Sequence, residues 1–333
     1  MRLPKADYYA PVSLREACSL LAEHGEEAKL LGGGTDLLVA CKLKNVKPAL
    51  FVSLSSISEL KGIHVNEGEY LKIGAMTSLH DIRCDSSTRD YFPALSEAAA
   101  LVGTTQLQYM GTIGGNLCLN TRCIYYNQSE SWRRSRDVCF KMGGQVCHVV
   151  PKGKRCYAVF SGDTVPALIA LDAEVKLVGN TEERLVSVSE LYTGDGKDPL
   201  ALKPGDLVSE IRLPMPAKSQ SSTYLKYRLR DAIDFPMVGV AVRMDTSDDG
   251  ICTSCRVVLN AVDGGPTEVH EARELLEGKT PTSDLIQEVA VQAEKRAHPV
   301  ANTPGSTPVY RRQMAGILTH RALHQVANGL GMI

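Results

Sequence analysis

The sequence predicts an α+β protein with two domains. The first third of the chain alternates helix and strand patterns, strands precede helices beyond residue 222, and a Pro- and Ser-rich linker occupies residues 214–222. With 333 residues, of which 44% are hydrophobic, the chain can bury a substantial core. We therefore predict one domain at residues 1–216 and a second at residues 220–333.

The first domain opens with alternating patterns. Apolar residues recur at helical spacing over residues 13–24 behind a Ser cap, and residues 29–31 form a short apolar run typical of a buried strand. A glycine run follows, after which Thr35 is placed to cap the next helix. The remaining elements predicted here are strands at 50–54 and 70–75, a turn at Glu67 and Gly68, a helix capped near Thr77 or Ser78, and a helix at 93–102.

Regular periodicity then disappears until about residue 159, and a strand-rich pattern follows. The predicted elements are a helix at 166–171, strands at 173–178, 207–213, 223–227, 237–244 and 251–260, and helices at 268–276, 283–296 and 308–326. Thr307 and Pro308 suit the cap and the first position of the last helix. The gap before residue 159 therefore needs an explanation other than regular secondary structure.

Composition excludes several classes of protein. No apolar run approaches the roughly 20 residues that a membrane span requires, and the N-terminus lacks the apolar core of a signal peptide. The formal net charge is −1, which weighs against nucleic-acid binding. We therefore expect a cytoplasmic protein that binds neither membrane nor nucleic acid. Ten cysteines in such a reduced compartment more often bind metal than form disulfides.

Two glycine segments indicate a dinucleotide site. The sequences GGGT at residues 32–35 and TIGGN at residues 112–116 let backbone N–H groups approach a diphosphate without obstruction by Cβ atoms. One segment alone is equally compatible with a tight turn, but two strand-to-helix passages of this kind in one domain favour an extended diphosphate. Neither is a Rossmann fingerprint, because that pattern would need a third glycine at Leu37.

These segments carry a family resemblance. The sequences LGGGTDLL at residues 31–38, TIGGNL at 112–117 and GDTVPAL at 162–168 resemble the FAD subunits of molybdenum hydroxylases. The resemblance implies a FAD-binding domain of the vanillyl-alcohol-oxidase (PCMH) type, followed by a C-terminal domain of the carbon monoxide dehydrogenase flavoprotein type. The residues that it implies for FAD are Leu31, Gly32, Gly33, Gly34, Thr35 and Asp36 at the diphosphate, Thr112, Gly115 and Asn116 near it, Asp163 at the ribityl or ribose hydroxyls, and Lys226 near the isoalloxazine.

Half of the cysteines lie between the second and third of these motifs. Asn116 and Asp163 are 47 positions apart, and four cysteines between them follow the pattern C-x15-C-x7-C-x8-C. These four are Cys123, Cys139, Cys147 and Cys156. Four thiolates are what a [4Fe-4S] cluster requires. Structural zinc also takes four cysteines but usually draws them from paired C-x2-C turns, which this segment lacks, and free thiols are the third alternative.

The other cysteines are expected to be structural. Cys118 should pack near the flavin, and Cys18 should lie in the core because it falls among helical apolar positions. Cys252 and Cys255 are three residues apart on a predicted strand, so they should point to opposite faces and not chelate.

The cysteine segment, residues 118–158, refines the resemblance. It is most similar to the β subunits of 4-hydroxybenzoyl-CoA reductases, which carry FAD and a [4Fe-4S] cluster. The resemblance implies an electron-transfer subunit that assembles with a large molybdopterin subunit and a small subunit with two [2Fe-2S] clusters, as a dimer of heterotrimers. One alternative is the FAD subunit of an aldehyde-, xanthine- or carbon monoxide-oxidising relative that passes electrons to NAD or another carrier. Another is a zinc-stapled nucleic-acid-binding module.

No nucleophile triad or acid-base pair is evident, so the chemistry should reside in the cofactors. Residues 120–157 are strongly basic, with eight Lys or Arg against two acidic residues. Such charge offsets a thiolate-bound cluster and tunes its potential. Alternatively, it forms a docking surface for an acidic carrier such as ferredoxin, with Arg133, Arg134 and Lys152 as candidates.

Overall fold

The computed structural model describes residues 2–66 and 68–332. Within them the strands form three sheets. The first is parallel in the order β1-β3-β2, with β1 (Asp7–Tyr9), β2 (Ala28–Leu31) and β3 (Leu50–Ser53). The second is antiparallel in the order β4-β5-β8-β6-β7, with β4 (Ile63–Asn66), β5 (Tyr70–Gly74), β6 (Glu174–Val178), β7 (Glu183–Ser187) and β8 (Leu207–Pro214). The third is antiparallel in the order β12-β11-β10-β9, with β9 (Gln220–Tyr227), β10 (Val238–Thr246), β11 (Cys252–Asn260) and β12 (Thr267–Glu268).

Twelve α-helices accompany the sheets in the described residues. They are α1 (Leu14–His24), α2 (Leu37–Lys42), α3 (Leu79–Cys84), α4 (Ser86–Tyr91), α5 (Pro93–Ala100), α6 (Thr105–Met110), α7 (Ile113–Leu117), α8 (Glu130–Arg134), α9 (Thr164–Ala170), α10 (Glu271–Leu276), α11 (Ser283–Arg296) and α12 (Pro308–Gly329). No helix in the described part of the chain is both long and apolar enough to traverse a membrane.

Helix caps confirm several predicted boundaries. The side chains of Ser13, Ser78 and Thr307 each accept a hydrogen bond from the backbone N–H three residues later, so α1, α3 and α12 begin where the sequence predicts. The prediction that Thr35 caps the next helix was wrong. Helix α2 begins after Asp36, whose carboxylate makes no cap bond because it accepts from the Arg122 guanidinium instead.

Short and edge elements were missed. Strands β1, β4 and β7 are edge strands, and their burial patterns show few buried residues. They therefore lack the alternation that predicts a strand. Helices α4 and α6 have six residues each, too few to show a helical period. The predicted turn at Glu67 and Gly68 lies partly outside the described residues, because Glu67 is not among them.

Two boundaries in the C-terminal half also differ from prediction. Strand β9 begins at Gln220, inside the predicted linker, and the helix expected at 268–276 begins only at Glu271. The residues before that helix pair with β11 as the short strand β12. Strand pairing thus takes over residues whose local pattern favours a helix or a linker.

Helix α9 is the centre of the main core. All seven of its residues are buried. Its side chains belong to a core cluster that also contains Ile211 of β8, Ala241 of β10 and Val258 of β11. The helix therefore lies between the second and third sheets. A separate core joins α11 and α12 to the other face of the third sheet.

Cys252 and Cys255 do not point to opposite faces as predicted. Both are fully buried in the core that joins the third sheet to α11 and α12. The register between β10 and β11 shifts after Asp245, so that Thr246 pairs with Cys252 and Thr253 is left out. This bulge moves Cys252 to the same face as Cys255. Cys18 is buried, as expected.

Arg311 of α12 is a buried cation held by backbone carbonyls. It is 1% exposed. Its guanidinium donates to Met237 O at 3.0 Å, to Val300 O at 3.1 Å, and to Ala261 O. Burial lowers the pKa of Arg311 to about 10. The side chain thus ties α12 to three separate loops.

Replacing this side chain tests how much the C-terminal domain depends on it. Arg311→Met leaves the buried carbonyls of Met237 and Ala261 without this donor, at roughly 1–3 kcal/mol each, whereas Val300 O keeps a bond from Asn302 N. We expect the unfolding temperature to fall by at least about 4–8 °C, at about 2–4 °C per kcal/mol. Arg312→Met, at the exposed neighbouring position, is the control and should change it little. Equal melting curves for the two variants in calorimetry would contradict the assigned role.

Candidate functional site

The two glycine segments lie against each other. A Cβ atom added at Gly32 would come within 3.1 Å of Thr112 Oγ1, and one added at Gly33 would lie 1.5 Å from the carbonyl oxygen of Met110. The second distance is an overlap, so only glycine allows this backbone approach. Segments that are about 80 positions apart in the sequence therefore form one surface.

Each segment has its own local conformation. Gly34 has φ +72°, which favours glycine, and its carbonyl accepts from Leu38 N at 3.1 Å to begin α2. The second segment follows helix α6, so the predicted strand-to-helix passage was wrong there. It begins α7, where Thr112 Oγ1 accepts from Gly115 N at 3.1 Å.

Asn116 joins the second segment to the third motif. Its side-chain oxygen accepts from Thr164 N at 3.1 Å and from Thr164 Oγ1 at 2.7 Å. A Cβ atom at Gly162 would lie 2.7 Å from the carbonyl oxygen of Asn116. The end of α7 is thus fixed to the start of α9.

Asp163 and Lys226, which the family resemblance assigns to different parts of the flavin, form a buried ion pair. Their side chains are 4% and 0% exposed, and Lys226 Nζ donates to Asp163 Oδ2 at 2.9 Å. The other carboxylate oxygen accepts from the Tyr224 hydroxyl at 2.7 Å. Burial raises the pKa of Asp163, and the Lys226 ammonium opposes that shift. The third motif is therefore bonded directly to strand β9.

Ser161 was not identified from the sequence. Its side chain is 2% exposed, and its hydroxyl has no hydrogen-bond partner among the described residues. A buried hydroxyl without a partner is uncommon, and it is available to a bound molecule. Because it lies two positions before Asp163, this orphaned group fits a cofactor with many polar oxygens. The sequence gives no indication that the hydroxyl of a buried serine will lack a hydrogen-bond partner.

An ion pair connects the first glycine segment to the cysteine segment. Arg122 Nη1 lies 3.0 Å from Asp36 Oδ1. Burial raises the pKa of Asp36, and Arg122 opposes the shift. The backbone of Arg122 also exchanges two 2.8 Å hydrogen bonds with Val159. Arg122 directly precedes Cys123, so the start of the cysteine segment is tied to both the glycine segment and its own far end.

The four cysteines predicted as ligands line one cavity. Cys123, Cys139, Cys147 and Cys156 share it with Lys141 and with aromatic and aliphatic side chains. Burial raises the pKa of Cys156 to about 11. Cys118 lies elsewhere, and burial raises its pKa to about 12. The cavity thus gathers the same four thiols that the spacing selects and leaves out the fifth.

These thiols are arranged around the cavity and do not converge on a point. Among the described residues, no group of three Cys, His, Asp or Glu side chains is close enough to hold a single metal ion. Tetrahedral zinc, with Zn–S bonds near 2.3 Å, would bring its sulfurs to about 3.8 Å from one another. As placed, the four thiols therefore share a cavity but do not form a site for a single metal ion.

Lys141 brings a positive charge to this cavity. Its ammonium donates to Asn120 Oδ1 at 2.8 Å, to Thr121 Oγ1 at 2.6 Å and to Gly196 O at 2.7 Å. Burial lowers the pKa of Lys141 to about 8, and Cys156 and Cys123 are among the groups that oppose the shift. Of the basic residues in the segment, this one faces the thiols.

Arg133 was predicted as a docking residue, but its side chain is not available at the surface. The residue is 6% exposed. Its guanidinium donates to Leu43 O at 3.1 Å, to Lys44 O at 3.2 Å and to Asn45 Oδ1 at 2.7 Å. It fastens helix α8 to the chain that follows α2. Arg134 is exposed but pairs with Glu130 at 2.9 Å.

Comparisons with known proteins agree with this layout. A family model described as the FAD binding domain in molybdopterin dehydrogenase matches residues 4–216, and one described as the CO dehydrogenase flavoprotein C-terminal domain matches residues 223–326. The carbon monoxide dehydrogenase medium chain of Hydrogenophaga pseudoflava is 30% identical over 96% of this chain and 96% of its own length. The aldehyde oxidoreductase FAD-binding subunit of Escherichia coli (strain K12) is 28% identical over 94% of this chain and 98% of its own.

A solved structure shows the same fold. Carbon monoxide dehydrogenase from Hydrogenophaga pseudoflava, in a form that lacks the Mo-pyranopterin moiety of the molybdenum cofactor, matches with a TM-score of 0.81 at 28% identity. The match covers 99% of this chain and 99% of the other. The fold of both domains is therefore the same as in that oxidoreductase chain.

The contact between the glycine segments can be tested by adding one methyl group. Gly33→Ala places Cβ 1.5 Å from the Met110 carbonyl oxygen, so the segments must separate, at a cost near the upper end of the roughly 1–3 kcal/mol typical of overpacking. We expect a lower unfolding temperature and loss of bound flavin, measured by calorimetry and by flavin absorbance per chain. At Gly179 a Cβ atom would have only ordinary contacts, the shortest at 3.4 Å. Gly179→Ala should therefore behave like the wild type. If Gly33→Ala also keeps the wild-type unfolding temperature and flavin content, the close contact between the segments is refuted.

Proposed function

The chain belongs to the family of FAD-binding subunits of molybdopterin dehydrogenases, and from that premise we propose that it is an electron-transfer subunit with both FAD and a [4Fe-4S] cluster. The observation that carries the proposal is the cavity lined by Cys123, Cys139, Cys147 and Cys156, in a chain that also joins two glycine segments. When bound, the flavin exchanges one or two electrons and the cluster one at a time.

We assign FAD to the surface formed by the glycine segments and the third motif. The backbone of residues 31–36 would hold the diphosphate, with Thr112, Gly115 and Asn116 beside it. Asp163 would bind ribityl or ribose hydroxyls, and Lys226 would lie near the isoalloxazine. The convergence of these segments and the orphaned Ser161 hydroxyl support the assignment.

The ion pair between Asp163 and Lys226 limits how Asp163 acts. Both carboxylate oxygens already accept hydrogen bonds, so a cofactor hydroxyl would share them with Tyr224 and Lys226. A carboxylate accepts up to about four hydrogen bonds, which leaves room for this. Lys226 thus opposes the rise in the pKa of Asp163 that burial causes and favours its acceptor form beside the cofactor.

The names of the relatives bear on the reaction. The similarity to subunits of carbon monoxide dehydrogenase and aldehyde oxidoreductase supports the alternative given in the sequence analysis. In that alternative, the chain is a subunit of an oxidising enzyme and passes electrons to NAD or another carrier. The first interpretation, 4-hydroxybenzoyl-CoA reductase, receives no support from them and is kept as a second candidate on the cysteine cavity alone. In either case we propose a large molybdopterin subunit, a small [2Fe-2S] subunit and a dimer of heterotrimers. The large subunit would then hold the substrate.

The cluster proposal is tested by iron content. Wild-type protein purified without oxygen should contain about four iron and four acid-labile sulfide per chain. Cys139→Ser should lose the electron resonance signal of the reduced cluster while it keeps FAD. Cys84→Ser removes an exposed cysteine away from the cavity and should change neither cofactor. Zinc in place of iron, or an intact signal in the Cys139→Ser protein, would remove the assignment.

Docking of ferredoxin needs free surface charge near the cavity. Lys152 and Lys154 are exposed, precede Cys156 closely, and form no ion pair among the described residues. We therefore propose these two as the docking residues. A carrier with an acidic surface would be attracted there most strongly at low salt.

Charge reversal tests this surface. The double variant Lys152→Glu and Lys154→Glu should raise the KM for ferredoxin about tenfold at low ionic strength, and less at high salt, with flavin content unchanged. Lys5→Glu with Lys218→Glu makes the same change in net charge at two other exposed lysines. Equal, salt-independent kinetics for both double variants would refute docking at this surface.

A further inference from the structure

A loop of the C-terminal domain holds the cysteine segment at two points. Asn302, between α11 and α12, accepts at its carbonyl oxygen from Ile124 N at 2.9 Å. Its side-chain amide donates to Tyr157 O at 2.6 Å. Ile124 follows Cys123, and Tyr157 follows Cys156. One residue therefore bonds the immediate neighbours of two cysteines that line the cavity.

Asn302 is itself rigidly held. It is 4% exposed, and its backbone N–H donates to Val300 O at 2.8 Å. Its side-chain oxygen accepts from Arg311 Nη1 at 3.4 Å and from Thr303 Oγ1 at 3.2 Å. Arg311 belongs to the long helix α12 and is fully enclosed. The position of the amide is thus determined by the C-terminal domain and not by the segment that it contacts.

The cysteine segment needs such an external support. Between α7 and α9 its only α-helix in the described residues is the five-residue α8. Its two ends are paired through Arg122 and Val159, close to Cys123 and Cys156. Asn302 adds a second connection across the same pair of cysteines. The geometry of the cavity therefore depends on these connections more than on regular secondary structure.

The amide is chemically suited to this position. It supplies a donor for the Tyr157 carbonyl and an acceptor for Arg311 in one side chain. Aspartate would keep the acceptor and lose the donor, and alanine would lose both. These two substitutions thus separate the bond to the cysteine segment from the bond to the C-terminal domain.

We infer that Asn302 is a positioning residue that sets the separation of Cys123 and Cys156 in the cavity. This inference rests on the proposed cluster only for its role in the holoprotein, since the separation itself is a property of the chain. Loss of the bond to Tyr157 should let the Cys156 side of the cavity move away from the Cys123 side. The cysteine cavity is then a joint product of the segment and the C-terminal domain.

The holoprotein provides the first test, by spectra and cluster lifetime. In Asn302→Ala and Asn302→Asp, the reduced cluster should give a broadened or shifted electron resonance signal and decay in air about five to ten times faster, as expected for the loss of one hydrogen bond. Flavin content and unfolding temperature should stay near wild-type values in Asn302→Asp. The control is Asn328→Ala, the same change at an exposed position of α12, which should match the wild type.

The iron-free protein provides the second test, which does not require the cluster. In both Asn302 variants, iodoacetamide should alkylate Cys123 and Cys156 about five to ten times faster than in the wild type. Cys139 and Cys147 should react at unchanged rates, as measured by mass spectrometry. Wild-type alkylation rates in folded Asn302→Asp would overturn the inference. Absence of iron from the wild type would overturn the proposed function instead, and the alkylation rates would still decide the role of Asn302.

Discussion

The buried ion pair between Asp163 and Lys226 is the constraint on which the two domains depend. Asp163 directly precedes α9, the helix at the centre of the main core, and Lys226 lies one residue before the end of β9, the first strand of the C-terminal sheet. Loss of either partner would leave a buried charge without compensation, which typically costs about 3–5 kcal/mol. Because Asn116 is bonded to Thr164, the next residue after Asp163, the glycine segments share this anchor. The proposed flavin site and the domain junction therefore share this ion pair.

The cysteine segment follows a different principle. It has little regular structure, and its position is set by hydrogen bonds with three other parts of the chain. Its own Arg133 and Lys141 donate to Leu43 O and Gly196 O, and Asn302 donates to Tyr157 O. Its positive charge is consequently divided. Arg133 and Lys141 act inside the protein, whereas Lys152 and Lys154 are exposed. The high net charge of the segment thus comes partly from buried side chains that hold the segment in place and partly from exposed side chains. A count of charged residues in the sequence does not distinguish these two groups.

Local patterns predicted the long elements well, because helices such as α11 and strands such as β10 bury one regular face. Spacing also selected the four cysteines that share a cavity. Features that depend on distant partners were out of reach. Nothing near Asp36 shows that Arg122 will compete for its carboxylate, and nothing near Cys252 shows that a bulge will turn it. The bond from Asn302 to Tyr157 spans 145 positions and has no local signature.

The ion pair between Asp36 and Arg122 has a consequence for the binding of the two proposed cofactors. Asp36 ends the first glycine segment, and Arg122 adjoins Cys123. Any ligand that restrains one of these residues restrains the other, and the free energy of that coupling is the same in both directions. If both proposed cofactors bind, filling of the nucleotide surface and filling of the thiol cavity would be thermodynamically linked. Each would then change the free energy of the other by an equal amount.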